Sequence, residues 1–125
     1  MRDPKPLAAP KVIEFAQWVA GPAAGGVLAD WGADVIKVEP PGGEPMRHLF
    51  ARPDARQHGA GADPTAPAPQ APSFVAVNRA KRSIELDLSD PADLACFEQL
   101  LADADVLLTN LAPHALEKLG LAPKR

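Results

Sequence analysis

The stretch Val12–Glu39, VIEFAQWVAGPAAGGVLADWGADVIKVE, reads as one complete strand, helix, strand unit. That unit restricts the chain to folds built on a crossover between parallel strands. Val12–Ala16 is a short apolar, β-branched run, and Val35, Ile36 and Val38, interleaved with Lys37, form a second run of strand length. Between them the Gly21-Pro22 pair punctuates the chain. Pro22 suits the first turn of a helix, where its missing N–H goes unused, and Ala23, Ala24, Val27, Leu28 and Trp31 supply an apolar stripe for burial. Gly32 then ends the helix.

Gly21, Gly25 and Gly26 lack the G-x-G-x-x-G spacing with which backbone amides approach a pyrophosphate, which argues against an NAD site. Two readings of these glycines stay open: close packing of helix on strand, or a turn after Ala16 that offers N–H groups at a helix N-terminus to an anionic ligand.

The rest of the chain has to build onto this unit, and 125 residues with 46% hydrophobic content suffice for one domain with a modest core. A net charge of -3, with most basic residues scattered, argues against a nucleic-acid surface. Cys96 is the sole cysteine, so no internal disulfide forms; it reads as buried filler, and a reducing cytoplasm is the natural compartment. No run has the length of a signal-peptide core or a membrane span.

In chain order, residues 1–10 form a flexible lead-in with three prolines. Pro40-Pro41-Gly42-Gly43 stops the second strand and redirects the chain. Ala51–Pro72, made of Ala, Pro, Gly and polar residues, reads as a disordered loop. His48 and His58 lie in or near it without ligand partners at metal spacing, so no metal site is expected.

Ser73–Val77 is a short apolar run, and Ser83–Leu88 alternates as a half-exposed strand should. Between them Arg79, Lys81 and Arg82 form a cationic cluster that reads either as a solvated loop or as cations suited to a phosphate-bearing ligand. A helix then starts at Asp90 as N-cap, with Pro91 at the first position, Asp93 favouring the dipole, and Leu94, Phe97, Leu100 and Leu101 facing inward. Asp105–Thr109 is a further strand, and LADADV leading into it echoes LADWGADV at Leu28–Val35. Two such units predict an α/β fold: a Rossmann-like open, mainly parallel sheet with helices on both faces. Ligands of such sheets bind outside the carboxyl ends of the strands, which puts Val19, Pro40 and Asn110 on the candidate rim. Pro113–Leu119 makes a last short helix closed by Gly120.

AGPAAG at Ala20–Gly25, GADVIKVEPPGG at Gly32–Gly43, NRAKRSIELDL at Asn78–Leu88 and ADVLLTNLAPHALEKLGL at Ala104–Leu121 occur in an order and on elements that resemble the class III CoA-transferases, the CaiB/BaiF family. The resemblance implies one incomplete domain, 11–121, that binds coenzyme A as a substrate, with residues 122–125 as a tail and no covalently bound cofactor. By position it implies coenzyme A contacts at Val19, Ala20, Pro40, Leu86, Ser89, Asn110, Leu111, Lys118 and Leu119. Pro40 stands where the family often has an arginine, and Ser89 where it has a lysine.

In the family, coenzyme A moves between an acyl-CoA thioester and a carboxylic acid through an aspartate nucleophile, which the resemblance places after Leu121. The chain thus looks like a truncated or split N-terminal portion, inactive alone and completed by a homo-oligomer or a C-terminal partner chain. The alternative is a stand-alone coenzyme A module, or a partner subunit without catalysis.

Overall fold

The protein is described as a computed structural model covering residues 9–49 and 70–121. Four strands, β1 (Lys11–Phe15), β2 (Asp34–Glu39), β3 (Arg82–Glu85) and β4 (Val106–Thr109), form one sheet in the order β3-β2-β1-β4. Every pairing is parallel, with Val12 opposite Val35 and Val106, and Val38 opposite Ile84. Helices α1 (Ala20–Trp31), α2 (Pro72–Asn78), α3 (Pro91–Ala102) and α4 (Pro113–Lys118) fill the connections, and a 3₁₀ turn spans Pro45–Arg47. This is the α/β architecture expected from the repeated units: parallel neighbours require crossovers, and the sheet is covered on both faces.

Alternation along the strands divides the interior. Val12 and Val35 pack with Ala29, Ala33, Leu28 and Leu108 on the α1 side. Ile13 and Val38 pack with Leu86 and Phe97 on the other, joined by Phe15, Cys96, Leu100 and Leu101. Phe97 is fully buried, and its ring meets that of Phe15 at 5.3 Å between centroids in a tilted arrangement. A smaller cluster of Met46, Ala71 and Phe74 seats α2.

Several expected boundaries hold for the expected reasons. Asp90 caps α3, accepting from the N–H groups of Ala92 and Asp93 at 2.9 and 3.2 Å, with Pro91 at the first position. Gly32 ends α1 at φ 115°, a left-handed conformation that suits glycine. The echoed LADWGADV and LADADV segments both run from a helix end into a strand.

Two local expectations fail. Of the stripe Ala23, Ala24, Val27, Leu28 and Trp31 only Leu28 packs against the core; Gly21, Pro22, Gly25, Gly26 and Ala29 are the buried residues of α1, while Val27 and Trp31 are exposed. The backbone of α1 comes too close for larger side chains: a Cβ at Gly26 would lie 2.8 Å from the Val77 carbonyl oxygen. Close packing is therefore one role of these glycines. The apolar run at Ser73–Val77, too short for its period to assign an element, is part of helix α2. β3 also stops at Glu85, short of the expected Leu88.

Most of the lead-in and of the loop expected at Ala51–Pro72 lies outside the described residues, as do His58 and the tail. At the loop's end Ala71 is buried, its N–H donates to the Arg47 carbonyl at 2.9 Å, and Pro72 opens α2. Among the described residues, no helix is long and apolar enough to cross a membrane, and no cluster of three or more His, Cys, Asp or Glu could hold a metal ion.

Candidate functional site

The carboxyl ends of β1, β2 and β3 open together, and the chain segments leaving them line a cavity of about 470 Å³. Phe15 and Gln17 come from β1 and its exit, Pro40 and Pro41 from the turn after β2, Leu86–Ser89 from the segment after β3, and Lys118 and Leu119 from the end of α4. The PPGG sequence suits its place. Gly42 and Gly43 adopt φ of 84° and 82°, and the Gly43 N–H closes the turn on the Pro40 carbonyl at 2.8 Å.

The wall of the cavity is mostly apolar, with a small polar set. Ser89 donates through its hydroxyl (2.6 Å) and its N–H (3.0 Å) to Asp87 Oδ1, and these hydrogen bonds, the hydroxyl's first, hold the Asp87 carboxyl below its ordinary value. Asp87 is thus an ionised acceptor, and Lys118 is the one cation among the lining residues. A carboxylate, an ammonium and a hydroxyl on an apolar wall suit a flat, polar-edged group with a nearby anion.

Of the nine residues that the sequence marks as contacts, Pro40, Leu86, Ser89, Lys118 and Leu119 line this cavity. Val19, Ala20, Asn110 and Leu111 stand at the neighbouring exit between β1 and β4, where the strand order reverses. Asn110 joins the two places: its Oδ1 accepts from the Gln17 N–H at 3.0 Å and its Nδ2 donates to the Gln17 carbonyl at 2.8 Å. Leu111 donates through its N–H to Thr109 Oγ1. Val19, the N-cap of α1, is exposed and makes no side-chain cap. Phe15, Gln17, Pro41, Asp87 and Leu88 were not marked by the sequence, although each lies within two positions of a strand end or a marked residue.

The cationic cluster goes elsewhere. Arg79 pairs with Asp30 and Arg82 with Asp34, both on the surface. The Lys81 side chain is buried and meets Glu14 Oε2 at 2.6 Å, with hydrogen bonds to the Pro22 carbonyl and Asn78 Oδ1. None of the three lines this cavity; Arg79 and Arg82 are exposed, as the solvated-loop reading expects, while the Lys81 side chain turns inward. They bind helices and strands of their own chain together.

Lys81 belongs to a buried ionic network at the carboxyl end of the sheet that the sequence did not disclose. Lys37 Nζ meets Glu14 Oε1 at 3.0 Å and Glu44 Oε2 at 2.5 Å, and also donates to the Ala16 carbonyl. Glu14, Lys37, Glu39 and Glu44 are each 1% exposed or less. Glu14 Oε2 and Glu44 Oε2 meet ammonium groups at ion-pair distance without a well-directed hydrogen bond. Burial pushes the Lys81 ammonium below its ordinary value, and Glu14 only partly offsets this. Burial would push the Glu39 carboxyl up, but two 2.6 Å hydrogen bonds from Arg47 and one from the Glu44 N–H bring it below its ordinary value. Arg47 also lies over the Phe74 ring, 4.2 Å from its centroid.

Compared with known proteins, the sequence matches CoA-transferase family III over residues 7–125. The chain belongs to this family. It is 42% identical over 119 residues to the probable fatty acyl-CoA transferase Rv3272 of Mycobacterium tuberculosis, covering 95% of this chain and 27% of that protein. It is 39% identical over 121 residues to succinyl-CoA–D-citramalate CoA-transferase of Chloroflexus aurantiacus, again over 27% of the relative. The crystal structure of a CaiB/BaiF family protein from Brucella suis superposes with a TM-score of 0.75 at 37% identity, covering 97% of this chain and 30% of that one. The chain thus spans little more than a quarter of the family III relatives it matches, and the match falls on the sheet, its helices and the cavity.

Proposed function

We propose that this chain supplies part of the coenzyme A site of a family III CoA-transferase, with acyl-CoA and a carboxylic acid as the substrates of the complete enzyme. The observation that carries this reading is convergence: five residues marked independently by sequence, Pro40, Leu86, Ser89, Lys118 and Leu119, line one cavity at the strand ends. Leu86 and Leu119 provide apolar faces for the adenine, Asp87 an acceptor for an amino or hydroxyl group, and Lys118 a charge for a phosphate. Val19, Ala20, Asn110 and Leu111 carry the contact surface on towards the reacting end.

With Pro40 and Ser89 where the family often has cations, Lys118 is left as the one cation on this wall. On this reading the chain alone binds but does not turn over, because the attacking aspartate that the resemblance implies lies after Leu121. The segment that carries that aspartate would complete the enzyme, in a cytoplasmic setting.

Calorimetry with coenzyme A and with NAD tests the reading. Coenzyme A is expected to bind the tighter, and Lys118→Ala to weaken it by up to about fivefold, the size of one exposed charge contact. Equal or tighter binding of NAD, or unchanged affinity in the variant, would count against it.

A further inference from the structure

Three consecutive residues between β1 and α1 have their backbone held by side chains from elsewhere. The Ala16 carbonyl accepts from Lys37 Nζ at 3.0 Å, the Gln17 N–H and carbonyl are both taken by Asn110, and the Trp18 N–H donates to Glu44 Oε1 at 3.1 Å. Lys37 and Glu44 are fully buried and paired with each other, so this end of the turn is anchored in the interior. What they hold is a strained conformation. Trp18 sits at φ 66°, in the left-handed region that a bulky side chain rarely enters, although glycine would fit there without strain.

The fold gains little from the tryptophan itself, since Trp18 is 48% exposed and belongs to none of the apolar clusters. Strain maintained by surrounding structure around a solvent-facing aromatic points to use by a ligand. Its neighbours agree: Gln17 lines the candidate cavity on one side, and Val19, the exposed N-cap of α1, follows on the other.

We propose that the Trp18 indole contacts the pantetheine arm of an acyl-CoA whose nucleotide half occupies the cavity lined by Leu86, Ser89 and Lys118. This rests on the coenzyme A reading of that cavity. A cavity of about 470 Å³ is small for a nucleotide, its phosphates and the long arm together. An arm that leaves past Gln17 meets Trp18 next. It is a chain of methylenes and amides ending in sulfur, and an indole face packs well against all three.

Trp31→Phe leaves Trp18 as the sole tryptophan, so its fluorescence reports directly. In that background coenzyme A should shift the emission, and 3′-phospho-ADP, the nucleotide half alone, should bind without shifting it. Trp18→Gly should weaken coenzyme A about three- to tenfold and leave 3′-phospho-ADP within about twofold, as the loss of one aromatic contact requires. The thermal midpoint should stay level or rise, because glycine adopts φ 66° without strain. Unchanged coenzyme A affinity, an unchanged emission, or equal weakening of both ligands with a lowered midpoint would each overturn the proposal while leaving the cavity reading in place. If neither ligand bound at all, the cavity reading would fall and the proposal with it.

Discussion

On the α3 side of the sheet, Ile13, Val38, Leu86 and Phe97 close a core made of apolar groups. On the other side the adjacent residues of the same strands are Glu14, Lys37 and Glu39, each almost wholly buried. That side is itself graded: Val12 and Val35 pack apolar surface at the strands' amino ends, and the charges gather at the carboxyl ends. Apolar burial stabilises by area and tolerates repacking. Buried ions stabilise only in complete sets, because each must be neutralised and hydrogen-bonded in place. The difference shows why ions belong here: Lys37 and Glu44 hold backbone groups of one turn to directions that an apolar core would leave free.

The largest expected effect breaks the ionic face. Lys37→Met nearly preserves volume but leaves Glu14 and Glu44 facing each other without the ammonium between them, and should cost about 3–5 kcal/mol in urea denaturation. A loss below about 1 kcal/mol would mean that water or Lys81 replaces the lost charge. On the apolar face, Phe97→Leu also keeps most of the volume and should cost only about 1–2 kcal/mol. If the two costs were reversed, the contrast between the faces would be wrong.

The smallest effect is a dependence on pH. The Glu39 carboxyl lies below its ordinary 4.5 when folded, so between that lowered value and 4.5 the unfolded chain binds more protons than the native one. Its contribution is therefore complete above about 4.5 and is lost as pH falls through the folded value. Unfolding followed from pH 6 downward should show stability falling in this window, with a shallower fall in Glu39→Gln. Identical slopes would remove Arg47 and the Glu44 N–H as the cause.

Much of the fold was legible because its signals are local. Asp90-Pro91, Gly32 and the valine-rich runs act through capping, backbone conformation and period, and each acts where the sequence places it. The inward face of α1 was misread because apolar counting rewards Val27 and Trp31 and gives glycine no weight. What decides that face is how closely a helix backbone can approach Glu14 and Val77, a distance that no single segment contains. The ionic network was illegible for a related reason: Glu14, Lys37, Glu44 and Lys81 neutralise one another only once three connections have brought them together. The site lay between these cases. Pro40 was reached from its place at a strand's carboxyl end and Leu86, Ser89, Lys118 and Leu119 through motif resemblance, whereas Gln17 and Asp87 needed the geometry that sets them beside these residues.

Gly25 shows how such a network narrows the routes by which the chain can change. A Cβ at this position would lie 1.9 Å from Glu14 Oε2, and the carboxylate cannot swing aside because Lys37 and Lys81 hold it from both oxygens. Alanine at 25 becomes possible only after Glu14 shortens, yet shortening Glu14 first takes the carboxylate from the Lys81 ammonium and leaves Lys37 with Glu44 alone. Each single step leads downhill in stability, so positions 14, 25, 37 and 81 are free to drift only as a set, and the glycine of α1 is kept in place by a charge on the strand beneath it.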